Sequence, residues 1–227
     1  MMTSTPLPRL GTPKSATDMV FDTLYQAVIS LQLPPGTRVS EAEVAQQLDV
    51  SRQPVRDAFF RLSNLGFLAI RPQRATLITP ISPTAIRNAL FVRVAIECEC
   101  LQAAAQRMDP SGADRLRALL SAQQEAADPT AFYQLDEAFH REIAEIAGHG
   151  HAWDLITEQK AHMDRVRLLT LSSARQHQAQ AEHVALAEAL IAGDLTTAQS
   201  RLRAHLNDIL NALDKARADH PEYFDPA

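Results

Sequence analysis

Long apolar runs are missing from this sequence of 227 residues. None approaches the ~18–20 apolar residues that a membrane-spanning helix needs, so no membrane partner is expected. Cysteine is nearly missing too. The only two, Cys98 and Cys100, stand two positions apart, where helical side chains diverge and cannot easily bridge. Unbridged cysteine fits a reducing, cytoplasmic compartment. Residues 1–15, MMTSTPLPRLGTPKS, lack the apolar stretch of a secretory signal and are expected to be a disordered lead-in. Catalytic signatures are also missing: there is no glycine-rich phosphate loop, no HExxH and no nucleophile motif. An enzyme is therefore not expected, and no short-period repeat is present.

Positive charge is in deficit overall, with a net charge of −5, but the deficit is uneven. Residues 1–80 hold eight basic and six acidic residues, whereas residues 81–227 hold fourteen and twenty-one. Five arginines against one aspartate fall within 51–74. A basic patch on an acidic chain suggests an anionic partner at one end, although a solvated face would look the same.

The N-terminal third has a helix-turn-helix pattern. Residues 16–31 carry apolar residues at helical spacing, and LPPG at 33–36 turns the chain. Ser40 can cap a short helix over 41–48, with Glu43 placed as in a capping box. Ser51 can cap a second helix, RQPVRDAFFRLSNLG, whose Pro54 lies in the first turn and whose Gly66 ends it. FLAIRP and ATLITPI then form a small hairpin around its turn, a wing. A helix fits the DNA major groove, and its first turns face base edges. Arg52, Gln53 and Arg56 occupy those turns, with Ala58, Phe59, Leu62 and Leu65 on the core side. Ser51 and the helix N-terminus suit a phosphate. Arg71 and Arg74 lie at the hairpin tip, within reach of the backbone or minor groove. An ordinary helical hairpin with surface arginines is the alternative.

LPPGTRVSEAEVAQQLDVSRQPVRDAFFRLSNLGFLAIRPQRA closely resembles the winged helix-turn-helix of GntR-family bacterial transcription regulators. The resemblance covers residues 17–80 and implies that Arg52, Gln53, Arg56 and the wing arginines contact operator DNA. Family wings usually carry Gly after the Arg of RPxR; here the residue is Ala75. Ala tolerates positive φ poorly, so the wing tip beside Arg74 is expected to bend differently from the family's.

From residue 82 the sequence is helical. Ser82-Pro83, Asp109-Pro110 and Asp128-Pro129 each mark a cap followed by a first-turn proline. Six helices are expected, over 83–107, 110–127, 129–147, 152–172, 175–192 and 194–215, followed by a tail over 217–227 whose end, DHPEYFDPA, is expected to be frayed. At about 100° per residue, Leu135, Phe139, Ile143 and Ile146 define an apolar arc. Asp136 falls inside it and His140 at its edge. His183 lies mid-arc on its helix, and His205 borders the arc of Ala198, Leu202 and Ile209. An inward Asp must be paired, protonated or bound to a cation. Asp with neutral imidazoles is a common divalent-metal set. Core histidines bonded to backbone or water are the other reading, and His162 also falls on an apolar arc. His149, His151 and His177 look like loop or surface residues. Arg93 and Glu97 sit together mid-arc on the first of these helices. They form either a buried ion pair or an arginine awaiting a carboxylate.

Residues 83–215 resemble the FCD ligand-binding domain of FadR-like members of the same family, through FVRVAIECECLQAAA, DEAFHREIAEIAG, EHVALAEALIAGD and RLRAHL. In the metal-binding branch of that family, the positions of Asp136, His140, His183 and His205 hold a divalent cation, and the arginine matching Arg93 lies in the effector cavity. Where the family often has Asn after AG, this chain has His149, which touches no ligand. The expected protein is mainly α. A winged helix-turn-helix (three helices and a β-hairpin, 16–81) precedes an all-α six-helix FCD bundle (82–216). The resemblance implies a homodimeric repressor on operator DNA, holding Zn²⁺, Ni²⁺ or Mn²⁺. It would be controlled by a small carboxylate at Arg93 and Glu97. A metal-responsive regulator and a metal-dependent enzyme are the alternatives.

Overall fold

The computed structural model describes residues 14–70 and 75–225. They fall into two compact units. One holds the chain up to Val28 together with Gln32–Thr79; the other holds Ile29–Leu31 and the chain from Pro80 on.

In the first unit, α1 (Ala16–Ile29) buries Val20, Leu24 and Val28, spaced four apart. Ser40 caps α2 (Glu41–Gln47) by accepting from the Glu43 N–H at 3.1 Å. The following turn places Asp49 at φ 51°, a left-handed conformation that Asp adopts more readily than most residues. α3 (Arg52–Asn64) buries Val55, Ala58, Phe59 and Leu62, while Leu65 is only half-buried. Gly66, at φ 79°, reverses the chain after it. β2 (Leu68–Ala69) and β3 (Thr76–Ile78) pair antiparallel, as the expected hairpin requires. A third strand, β1 (Arg38–Val39), pairs with the other edge of β3, giving the order β1-β3-β2. Only two residues long, β1 shows no alternation from which it could be read.

In the second unit the Ser/Asp-Pro starts behave as their chemistry requires. Ser82, Asp109 and Asp128 accept from the N–H of Ala85, Gly112 and Ala131 at 3.3, 2.7 and 2.8 Å. They open α4 (Pro83–Arg107), α5 (Pro110–Gln124) and α6 (Pro129–Ile146). α7 (His151–Thr170) and α8 (Ser173–Ile191) follow, the latter capped by Ser172. One continuous core gathers Ile86, Leu101, Leu116, Phe139, Trp153, Leu186 and Leu202.

Two expectations fail at the C-terminus. The single helix over 194–215 is two, α9 (Leu195–Asn207) and α10 (Ile209–Asp219), interrupted at Asp208. There the Asp208 N–H donates three residues back, to His205 O at 3.3 Å, and its carboxylate meets Arg175 Nε at 2.9 Å. Nor are the described residues of DHPEYFDPA, 219–225, frayed. After a single 3₁₀ turn, Pro221–Tyr223, the Ile81 N–H donates to Tyr223 O at 2.8 Å, and the Asp225 N–H donates to Ile81 O at 3.1 Å. Phe224 is buried in the core. One apolar ring and two backbone bonds are enough to dock a segment with no periodicity of its own.

A buried polar centre and an exposed recognition helix

On α3 the functional candidates stand in water. Ser51 occupies the N-cap position without a side-chain cap bond, and Arg52, Gln53 and Arg56 are exposed in the first two turns. Gln53 Nε2 donates to Asp57 Oδ1 at 2.8 Å, and Arg56 Nε lies 3.3 Å from Glu41 Oε2. Surface pairs of this kind are worth little and are readily exchanged for other partners. Arg61 is exposed as well, but has two partners on α1. It bonds Asp18 at 2.9 Å and lies over the Phe21 ring at 3.8 Å, tying α3 to α1. The basic run of 51–74 thus divides into open groups and a structural one. Arg71 and Arg74 lie outside the described residues.

In the helical unit, α6, α8 and α9 bring Asp136, His140, His183 and His205 together, all buried, with one ligand atom from each within 4.8 Å of the others. His205 Nε2 lies 3.3 Å from His140 Nε2 and 3.2 Å from His183 Nε2, and Asp136 Oδ1 lies 3.5 Å from His183 Nε2. Phe139 stacks on His183 at 4.5 Å between centroids.

The opposite edge of each ring fixes its tautomer. His205 Nδ1 donates to Glu182 Oε2 at 2.7 Å, and His140 Nδ1 lies 2.7 Å from Glu97 Oε2. His183 Nδ1 meets Gln123 Oε1 at 2.9 Å; Gln123 Nε2 donates to Leu135 O, which orients that amide as an acceptor. With Nδ1 of His183 and His205 hydrogen-bonded and His140 Nδ1 facing the Glu97 carboxylate, the three Nε2 atoms are left to present lone pairs to one another. Asp136 Oδ1 faces the same point, buried and without a hydrogen-bond partner. Four electron-rich atoms facing inward, each imidazole backed by an acceptor, is what a divalent cation requires. The residues fit such an ion.

The electrostatics agree. Burial alone would raise the Asp136 carboxyl, but Arg167 and the three imidazoles hold it well below the usual range. Burial, reinforced by His205, pushes His183 well below the ordinary histidine value. Burial also lowers His205, against its bond to Glu182. The surroundings thus favour the carboxylate form of Asp136 and the neutral form of His183 and His205. Burial would likewise raise Glu97, but Arg93 and His140 bring it down to about 2. Arg93 and Glu97 are both buried and joined as an i,i+4 pair. The buried ion pair is thus present, and Arg93 Nη2 has no hydrogen-bond partner.

The sequence reading missed several of these groups. Arg167 of α7 bonds Asp136 Oδ2 and Glu137, leaving Oδ1 for the centre. Lys160, fully enclosed, bridges Glu137 at 2.6 Å and Asp164 at 2.7 Å. The i,i+4 spacing of Lys160 and Asp164 was a usable signal; the pairing of Arg167 with Asp136 had none. His162 is outside the centre. Beside the centre opens a cavity of about 220 Å³, whose walls include Arg93, Arg167, Arg175 and His205.

A helix-turn-helix with an open, arginine-bearing second helix, followed by a helical unit with a polar centre and a cavity, defines the class of DNA-binding transcription regulators. Comparison with known proteins gives the family. Residues 16–78 match the model for bacterial regulatory proteins of the gntR family, and residues 88–208 match the FCD domain. The chain is 31% identical over 220 residues to the HTH-type transcriptional repressor RspR of Escherichia coli K12, covering 95% of this chain and 96% of that one. It is 33% identical over 203 residues to an HTH-type transcriptional regulator of Streptomyces ambofaciens, covering 88% and 86%. A putative GntR transcriptional regulator from Rhodococcus sp. RHA1 superposes with a TM-score of 0.68 at 26% identity, over 88% of this chain and 99% of that one. Escherichia coli McbR/YncC shares the fold, with a TM-score of 0.75 at 20% identity over 89% and 99%. The chain belongs to the GntR family and carries an FCD domain; it is a DNA-binding transcriptional regulator, not an enzyme. Among the described residues, no helix is long and apolar enough to cross a membrane.

Proposed function

We propose that this chain is a repressor whose hold on operator DNA is set by a small carboxylate bound beside a divalent cation. The observation that carries the reading is the convergence of three imidazole Nε2 atoms and one unpaired Asp136 oxygen. This centre adjoins a cavity that Arg93, Arg167 and His205 help to line. Asp136, His140, His183 and His205 would hold the cation, zinc first, with nickel or manganese as alternatives. Such an ion supplies open coordination positions for a carboxylate oxygen. Arg93, a planar fork matched to a carboxylate, neutralises the remaining charge. Ser51, Arg52, Gln53 and Arg56 would engage the operator, two copies of α3 serving the two half-sites of an inverted repeat in a homodimer. The relative named a repressor supports the sign of regulation.

Control requires that the carboxylate bind one state of the protein better than another; tight binding to both would shift nothing. The test is an operator mobility assay on metal-loaded protein, with and without a panel of organic acids. An acid that releases the operator from wild type but not from Arg93→Ala is the expected result. Release by zinc itself, with no acid effective, would instead make the cation the signal.

A further inference from the structure

The cavity offers fewer open hydrogen-bonding groups than its residue types suggest. Thr170 Oγ1 donates to Val166 O at 2.9 Å, and Asn211 Nδ2 donates to Asp208 Oδ1 at 3.0 Å. Glu182 and Asp208 hold Arg175. Tyr133 OH accepts from Lys160 Nζ at 3.1 Å. Each of these groups already has at least one partner within the protein. Two cationic residues differ. Arg93 keeps Nη2 buried without a hydrogen-bond partner, and Lys215 is exposed with no ion-pair partner among the described residues.

Much of the remaining wall is hydrocarbon. Phe132 of α6, Met163 of α7, Leu206 of α9 and Ile209 of α10 all line the cavity, and Phe132, Met163, Leu206 and Ile209 are among the buried apolar residues. A polyhydroxylated acid entering here gives up hydrogen bonds to water that such a wall does not return. An apolar body gains instead by leaving water. Size sets a second limit. A cavity of ~150 Å³ holds benzene, so 220 Å³ suits a ligand of on the order of nine heavy atoms.

We propose that the effector is a monocarboxylate with a compact apolar body, an aryl or branched-alkyl acid. Its head meets Arg93, and its body lies against Phe132, Met163 and Ile209. This rests on the carboxylate reading above and narrows it.

Three acids matched in size separate the two levels: benzoate, D-threonate and glutarate. Each is titrated calorimetrically into the full-length protein, as purified and after incubation with Zn²⁺. Benzoate is expected to bind at least about tenfold more tightly than the other two. If D-threonate or glutarate binds as well or better, the apolar-body assignment is overturned while the carboxylate reading stands. If none of the three binds while another acid of the panel releases the operator through Arg93, the apolar-body assignment is overturned and the carboxylate reading stands; if no acid of the panel does so, both fail. Ala212→Phe, which adds a ring to the cavity wall, serves as the positional control. In a variant that still melts cooperatively, benzoate affinity is expected to drop by about tenfold or more. Unchanged affinity would place the acid elsewhere and overturn the proposal.

Discussion

On α3 the residues that would meet DNA stand in solvent, whereas on α6, α8 and α9 the residues that would hold a cation are among the most enclosed in the chain. Arg52, Gln53 and Arg56 cost the fold little, because water and exposed neighbours such as Asp57 and Glu41 satisfy them until a partner arrives. Asp136, His140 and His183 have no such reservoir. Each exists only because a second group was placed to satisfy it: Arg167 for Asp136, the Glu97 carboxylate for His140, and Gln123 for His183. In the first unit function and stability are therefore separable. In the second they are the same set of contacts, and changes there act on both.

The strongest way to break this contrast is Arg167→Ala. It leaves Asp136 and Glu137 without their shared cation in a buried setting. Removing one partner of a buried pair typically destabilises by ~3–5 kcal/mol, and urea unfolding of the metal-free protein should show a loss of that size. A loss below about 1 kcal/mol, the scale of a surface pair, would mean the centre is no more demanding than α3. Next comes Phe224→Ala, which removes the ring docking the C-terminal segment; buried Phe→Ala changes cost ~3–5 kcal/mol, and the lower end is expected near a chain terminus. A denaturation midpoint equal to wild type would show that residues 217–225 do not contribute, despite their bonds to Ile81.

What could be read in advance divides along the same line. Helix starts were legible because Ser82, Asp109 and Asp128 act locally, on N–H groups three residues ahead. The pairs Asp136/His140 and Arg93/Glu97 were legible because four residues is one helical turn. The second layer of contacts was not. Gln123 reaches His183 from another helix, and Arg167 reaches Asp136 across 31 positions. Glu182, next to His183 in sequence, serves His205 instead. No spacing rule encodes a partner fixed by how helices pack. β1 and the docked Phe224 escaped for the opposite reason: each is too short to carry a period.

Metal loading sharpens the comparison with a smaller effect. A ligand that binds only the folded state stabilises it by about 2.7 kcal/mol at a hundred times its dissociation constant. Wild-type protein should gain roughly that in zinc, read from the shift in unfolding midpoint, and retain the metal through desalting. His183→Ala should keep neither the increment nor the metal, because Asp136, His140 and His205 alone do not complete the set. A full zinc increment in that variant would remove His183 from the proposed ligands and leave the convergence of Nε2 atoms without its explanation.

The smallest effect on the fold, and the most specific for DNA, belongs to α3. Arg52→Ala and Arg56→Ala should each weaken operator binding by ~1–3 kcal/mol if the side chain meets a base edge. Both residues are exposed, and Arg56 has only a 3.3 Å surface contact to Glu41 to lose, so stability should stay within ~0.5 kcal/mol of wild type. Arg61→Ala is the internal control. It lies on the same helix and in the same basic run, but its guanidinium is tied to Asp18 and Phe21. It should lose more stability than either of the other two, and its loss of DNA affinity should be largely recovered when folded protein is compared at equal concentration. If Arg61→Ala instead abolishes operator binding in fully folded protein while Arg52→Ala does not, the division of α3 into open and structural arginines is wrong, and the surface facing DNA must be redrawn around Arg61.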